Sequence, residues 1–316
     1  MAISRLFLIG ATCISACAAL AVAPRAEAAR IAQESFASAD EAAKALADAA
    51  RATSSRGLSE VLGPAATNAL SSGDRYADAE QERRFAAAYD EKHALVQQAP
   101  DRVVLTVGTN DWPLPIPIVQ SAGRWQFDTA AGAQEIINRR IGRNELAAVR
   151  VALTYVDAQK DYFERMKQRS GAGFYAERLI STPGHQDGLY WPAAADAPQS
   201  PFAPVVARAD EEGYAGAFTG TKPIPYQGYY FRVLKAQGVN TPEGARNYVK
   251  SGKMTEGFAL IAWPARYGSS GIMTFQVDQD GIVFQKDLGP KTYQLAPAIT
   301  AFDADLSWDQ VDVTND

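Results

Sequence analysis

Between Thr129 and about Arg169, apolar residues return at the spacing of a single helix face. Leu146, Val149, Leu153, Val156 and Phe163 recur at intervals of three, four, three and seven, while Arg150, Asp157, Asp161 and Glu164 fall elsewhere on the wheel. A helix this long, with a possible break at Gly142, needs a surface to lie on. The residues after it supply strands: Tyr229 to Leu234, Gly257 to Trp263, Ile272 to Val277 and Ile282 to Gln285. The last two are joined by Asp278-Gln279-Asp280-Gly281, a hairpin turn with glycine at the left-handed position. An antiparallel meander packed on a long amphipathic helix buries both apolar faces.

Upstream, Ser38-Ala39-Asp40-Glu41 reads as a capping box opening a helix to about Ala52, and a second helix is expected over Asp78 to Leu95. Strands are expected at Val103 to Val107, Ile116 to Val119 and Arg124 to Asp128. Pro113, Pro115 and Pro117 alternate, so the chain from Asp111 to Ile118 is extended without being a fully hydrogen-bonded central strand. The fold class is therefore α+β. Its expected parts are a leader over 1–28, helices with a small antiparallel sheet over 29–132, and the long helix with its sheet over 133–316. The first part is similar in element order to cone-shaped folds of the nuclear-transport-factor type.

The chain opens with Arg5, an apolar run from Leu6 to Ala23, then Pro24, Arg25 and Ala26-Glu27-Ala28, the order of a secretion signal cut before Ala29. Gly10, Thr12, Ser15 and the many alanines make the run weakly apolar and short for a permanent anchor. Ile14-Ser15-Ala16-Cys17 resembles a lipobox, which makes acylation of Cys17 the alternative route. The mature chain is then periplasmic or secreted, with no transmembrane segment, and is lipid-anchored on the Cys17 route. Removing the leader takes 31 basic and 36 acidic residues to 29 and 35, a net charge of −6, which argues against nucleic-acid binding. Cys13 and Cys17 both lie in the leader, so a chain cut before Ala29 has no thiol for disulfides, catalysis or metal ligation.

Five segments carry a resemblance. Asp187-Gly188-Leu189-Tyr190-Trp191-Pro192, Tyr229-Tyr230-Phe231-Arg232, Gly252-Lys253-Met254, Gly257-Phe258-Ala259-Leu260 and Lys286-Asp287-Leu288-Gly289-Pro290 resemble the signature segments of an uncharacterised bacterial family, domain of unknown function 2950. The resemblance spans nearly all of the mature chain and brings no catalytic or binding residues with it. The segment from Leu146 to Tyr175, followed by Gly228-Tyr229-Tyr230-Phe231, the Ala262-Trp263-Pro264 strand end, Ser270-Gly271-Ile272-Met273-Thr274-Phe275 and Asp280-Gly281-Ile282-Val283, is also similar to type IV pilin and pseudopilin headpieces. Arg139, Arg140 and Arg143 occupy the stretch where a pilin helix would be buried and apolar, which argues against polymerisation of that kind.

Chemistry is sparse. His93 and His185 are the only histidines, too few for a histidine-rich metal site, and no cofactor is implied. His185 has Asp187 two residues on, a conceivable base with an orienting carboxylate, in a Gly- and Pro-rich segment that favours a surface loop. Gly268-Ser269-Ser270-Gly271 lacks the spacing of a nucleophile elbow, and Lys250-Ser251-Gly252 has no Ser-x-x-Lys to accompany it. Asp303, Asp305, Ser307 and Asp309 alternate like half a calcium loop, but Trp308 and Thr314 stand where glycine and glutamate belong. Tyr190, Trp191, Tyr229 and Trp263 are candidates for an aromatic contact surface toward an envelope protein or a cell-wall glycan, weighed against an ordinary core. A non-enzymatic binding or structural role is the leading expectation. The alternative is a hydrolase of cell-wall or other polymers using carboxylates such as Asp187 or Asp287.

Overall fold

A computed structural model describes residues 32–194, 196–214 and 223–312. The expected leader, with Cys17 and its lipidation, lies outside the described residues. Ser38 caps α1 (Ala39–Arg51): its hydroxyl accepts the Glu41 amide at 3.1 Å, as the capping box predicts, while the Glu41 carboxylate reaches one residue further back and accepts the Ala37 amide at 3.0 Å. Helices α2 (Ser55–Leu62), α3 (Thr67–Leu70) and α4 (Arg75–Glu91) follow. The strands of the first sheet are β1 (His93–Ala99), β2 (Arg102–Val107), β3 (Trp112–Pro113), β4 (Ile118–Ser121) and β5 (Arg124–Phe127), in the order β1-β2-β4-β5 with β3 also on β2. Leu46, Leu58 and Leu62 from the helices close on Leu105, Ile118 and Phe127 from the strands. That apolar contact holds the first half of the chain together.

Two expectations need correction here. The helix over Asp78 to Leu95 starts earlier, at Arg75, and stops at Glu91. Asp74 explains the start, accepting the amides of Tyr76 and Ala77, and the pairing of His93 with Val107 through Ala99 with Arg102 explains the stop. His93 thus opens an edge strand, with Nδ1 2.9 Å from the Tyr89 carbonyl and its ring stacked on Tyr89 at 3.8 Å.

Helix α5 (Thr129–Ser170) runs 42 residues without a break at Gly142 and ends on Gly171 at φ +76, a left-handed cap. At 1.5 Å per residue it is about 63 Å long, enough to serve both halves of the chain. Its buried face holds Ala148, Val149, Ala152, Tyr155, Val156, Gln159, Tyr162 and Met166, so Val149 and Val156 of the expected stripe are buried, Leu153 and Phe163 are half-buried, and Leu146 is exposed. Tyr155 donates to the Ala259 carbonyl, and Gln159 bonds Tyr155 Oη and both backbone groups of Ala176, so the polar atoms in this stripe are satisfied.

After α6 (Ala203–Ala209) come β6 (Tyr229–Leu234), two short ribbons made by β7 (Ala236–Gln237) with β8 (Arg246–Asn247) and β9 (Val249–Lys250) with β10 (Lys253–Met254), then β11 (Ala259–Pro264), β12 (Met273–Asp278) and β13 (Val283–Asp287). Helix α7 (Thr292–Ala298) and β14 (Asp309–Gln310) close the chain. The antiparallel order is β14-β13-β12-β11-β6, and Gly281 takes φ +77 in the β12–β13 turn. Tyr229, Phe258, Leu260 and Phe275 bury against the C-terminal half of α5. This is the α+β architecture read from the sequence: helices with a small sheet, then a long helix on an antiparallel sheet. Among the described residues no helix is long and apolar enough to cross a membrane.

Candidate functional site

Helices α4 and α5 lie beside the first sheet and leave a cavity of about 780 Å³ between them. From α4 come Asp78, Glu82 and Phe85, and from α5 come Ile136, Arg139, Arg140 and Arg143, spacings of three and four that set each group on one helical face. The wall is apolar where Leu46, Leu58, Leu62 and Ile116 reach the surface of the first core. Its polar part holds six arginines against four carboxylates, a local excess of positive charge in a chain whose net charge is −5.

Those arginines are not equivalent. Arg84 pairs with Glu80 at 3.2 Å, Arg139 with Glu135 at 2.7 Å and Arg208 with Glu212 at 3.1 Å. Arg140 is 4 % exposed and ties three elements together, donating to the Asn68 and Ala69 carbonyls beside α3 and to Ser269 Oγ in the β11–β12 loop. Its Nε remains without a partner. Arg143 donates to Gln81 Oε1 at 3.1 Å, and no carboxylate lies within ion-pair distance of it or of Arg150 among the described residues. Burial, then the neighbouring Arg84 and Arg139 cations, push the Arg143 guanidinium below its ordinary value. Unlike Arg140, which feels the opposing charge of Asp78, Arg143 sits in a field of like charge.

The carboxylates of α4 are also perturbed. Burial raises Asp78 above its usual range, against the hydrogen bonds that both its oxygens accept from the Ser72 amide. Burial and then Asp78 raise Glu82, whose Oε2 is enclosed without a hydrogen-bond partner. Both groups stand on one face of one helix, so they do not face each other across a cleft as an acid/base pair would.

The residues singled out from sequence are scattered instead. His185 sits in an exposed turn, its amide on the Thr182 carbonyl. Asp187 is exposed and accepts from both the amide and the hydroxyl of Thr182, which with Arg178 at 3.8 Å lowers its carboxyl against the opposing effect of burial. Asp287 accepts from Tyr267 Oη and from the Gly289 amide in its own turn. No catalytic cluster forms among these three. The aromatic candidates divide: Trp191 is 8 % exposed and packs edge-on to Tyr162, Tyr229 is fully buried with its hydroxyl on the Met273 carbonyl, and Tyr190 and Trp263 are half-buried. Trp191 and Tyr229 are therefore core residues, because alternation along β6 and the turn before α6 point them inward, and they do not join a contact surface. Among the described residues no group of three or more His, Cys, Asp or Glu side chains is placed to hold a metal ion.

No residue of the cavity was among the sequence candidates. A signal for three of them was present nonetheless. Arg140, Arg143 and Arg150 each lack an acidic residue three or four positions away on α5, whereas Arg139 has Glu135 and Arg165 has Asp161.

No curated protein and no solved structure matches the chain, and the likeness to pilin headpieces rests on the sequence segments alone. The family described as "Protein of unknown function (DUF2950)" matches residues 33–311, nearly the whole described chain, and the protein belongs to that family.

Proposed function

We propose that the protein is an exported cell-envelope binding protein, non-enzymatic, whose ligand is a small amphipathic molecule held in the cavity between α4, α5 and the first sheet. The observation that carries the reading is the cavity itself, which combines an apolar wall with a few polar side chains at a volume typical of small-ligand sites. Export draws support from the leader pattern and from a family match that begins at residue 33, past the expected cut before Ala29. A second reading, contact with a cell-wall glycan or an envelope protein, rests on the half-buried Tyr230 and Trp263 rings 5.7 Å apart with Arg232 over Trp263. A carboxylate-dependent hydrolase is less favoured, since Asp187 and Asp287 are each engaged by their own turns.

The test has two arms. An apolar fluorescent probe should bind the purified protein and be displaced by a long-chain alcohol, and Ala77→Phe, which fills the cavity, should abolish its binding while the chain stays folded. Fractionation with N-terminal sequencing should recover a chain starting at Ala29, or at an acylated Cys17, outside the cytoplasm. Probe binding unchanged by Ala77→Phe would remove the cavity reading, and full-length cytoplasmic protein would remove export.

A further inference from the structure

We propose that the cavity selects a single-chain amphiphile with an anionic head group, a carboxylate or phosphate received by Arg143 between Arg84 and Arg139, with the hydrocarbon chain along the Leu46, Leu58, Leu62 and Phe85 wall. The proposal rests on the small-amphiphile reading of the same site and adds the charge and the direction of the ligand. Three observations support it. First, Arg139 is paired with Glu135 and Arg84 shares Glu80 with Arg83, but Arg143 has only the neutral Gln81 side chain and, like Arg150, no carboxylate within ion-pair distance among the described residues, so the cavity wall keeps positive charge to be neutralised. Arg143 is exposed at the cavity and stands beside an apolar wall, so an anionic head group there gains a charge-assisted pair with a cation that has no carboxylate of its own. Second, the charges acting on Arg143 are the Arg84 and Arg139 cations, while Asp78 acts on Arg140. An anionic head group at Arg143 thus meets three guanidiniums that line the same cavity. Third, the wall beside these cations is half-exposed hydrocarbon: Leu70, Phe85 and Ile136 pack against the first core without being closed off by it.

Arg139 also stands over the Trp112 ring at 5.2 Å, which fixes its guanidinium beside the opening. A planar guanidinium binds carboxylate or phosphate through two parallel N–H bonds, so Arg143 suits either head group. Positive charge is not favourable there for the same reason, and a neutral hydroxyl gains only an ordinary hydrogen bond.

The experiment uses the full mature chain and displacement of a fluorescent probe by dodecanoate, dodecyl phosphate, dodecanol and dodecyltrimethylammonium. Dodecanoate and dodecyl phosphate should bind at least about tenfold more tightly than dodecanol, the cationic amphiphile more weakly still, and raised salt should narrow the gap. Each methylene removed from the carboxylate should weaken binding about fourfold. Arg143→Gln should remove most of the preference for the anions and leave dodecanol within about twofold, with Arg56→Gln, at an exposed ion pair of α2 outside the cavity lining, near wild type. Equal binding of dodecanol and dodecanoate overturns the anion assignment while the cavity reading survives, and no binding of any amphiphile ends both. A loss at Arg150→Gln with none at Arg143→Gln overturns the placement of the head group. The head-group ranking of the unmutated protein decides the matter even if a variant folds poorly. Cosedimentation with phosphatidylglycerol vesicles that is lost in Arg143→Gln would mean a bilayer surface instead of a single molecule, and would overturn the proposal as stated.

Discussion

Asp74 is the residue whose removal should cost the fold most for its size. It is fully buried, and its carboxylate accepts four hydrogen bonds: Oδ1 from the Tyr76 and Ala77 amides that open α4, Oδ2 from Tyr214 Oη at 2.5 Å and the Gly228 amide at 2.9 Å. The first pair caps a helix of the N-terminal half and the second holds the approach to β6, so one side chain joins segments more than 150 residues apart. Asp74→Ala removes a cap worth about 1 kcal/mol. It also removes two hydrogen bonds to a buried carboxylate, worth roughly 1.5–3 kcal/mol each. The expected loss is about 4–7 kcal/mol, a large share of a domain's typical stability. Asp74→Asn keeps one oxygen and should lose about half of that. Urea titrations followed by circular dichroism measure both, and Tyr214→Phe completes a cycle. Since the Tyr214 hydroxyl donates to Asp74, Tyr214→Phe should be at least about 1 kcal/mol cheaper in the Asp74→Ala background than alone. Full additivity, or a loss under about 1 kcal/mol for Asp74→Ala, would refute the idea that this carboxylate joins the two regions.

Two glycines of α5 should respond oppositely to alanine. Gly132→Ala would set a Cβ 2.3 Å from the Pro115 carbonyl oxygen and 2.7 Å from the Ile116 nitrogen, backbone atoms with little room to give, and should cost about 1–3 kcal/mol or more in a denaturant titration. Gly142→Ala meets nothing within 4 Å in mid-helix and should raise stability by about 0.5–1 kcal/mol. Burial first, then Asp280 and Glu243, raise the Asp278 carboxyl to about 6. The folded state then holds a proton that the unfolded chain gives up near 4, so up to about 3 kcal/mol of stability is lost as the pH rises from about 4 through 6. Asp278→Asn should flatten that part of the pH–stability curve and gain stability near neutral pH, measured by thermal melts across the range. Trp191→Ala should cost about 3–5 kcal/mol, as a core truncation does, while Tyr190→Ala, at a half-buried ring, should cost less.

Local chemistry made part of the fold legible and left the rest hidden. The Ser38–Glu41 capping box, the Asp278–Gly281 turn and the β6 strand are written in a few adjacent residues, and the chain forms them where those residues stand. The boundary between α4 and β1 was harder to place. His93 to Ala99 carries no strict alternation because most of its side chains face solvent, and it is held as a strand only by its ladder to β2, a partner the window does not contain. The buried stripe of α5 was legible only in part for a similar reason. Val149 and Val156 are buried as their spacing predicts, but the face in contact with the sheet also holds Tyr155, Tyr162, alanines and Gln159, whose polar atoms find partners only once the sheet is present.

A curved sheet under helices makes a ligand cavity in the first part of the chain a natural expectation, but its lining is hidden in the sequence because a cavity is a property of two elements together. Arg139, Arg140 and Arg143 read from sequence as one basic run, yet the fold gives them three different tasks. Arg139 is paired and stacked on Trp112, Arg140 is buried as a tie to the Asn68 and Ala69 carbonyls, and Arg143 is left facing the cavity. The difference between the first and the third follows from helical spacing, since Glu135 lies one turn before Arg139 and nothing acidic lies one turn from Arg143 in either direction. A solvated helix face gains little by withholding a partner from one of its cations, because water and salt screen the charge. A missing acid alone does not mark such a residue, since Arg140 and Arg169 also have none at three or four positions and are held by the Asn68 and Ala69 carbonyls and by Gln186. What sets Arg143 apart is the apolar wall beside it, and that wall comes from other elements of the fold.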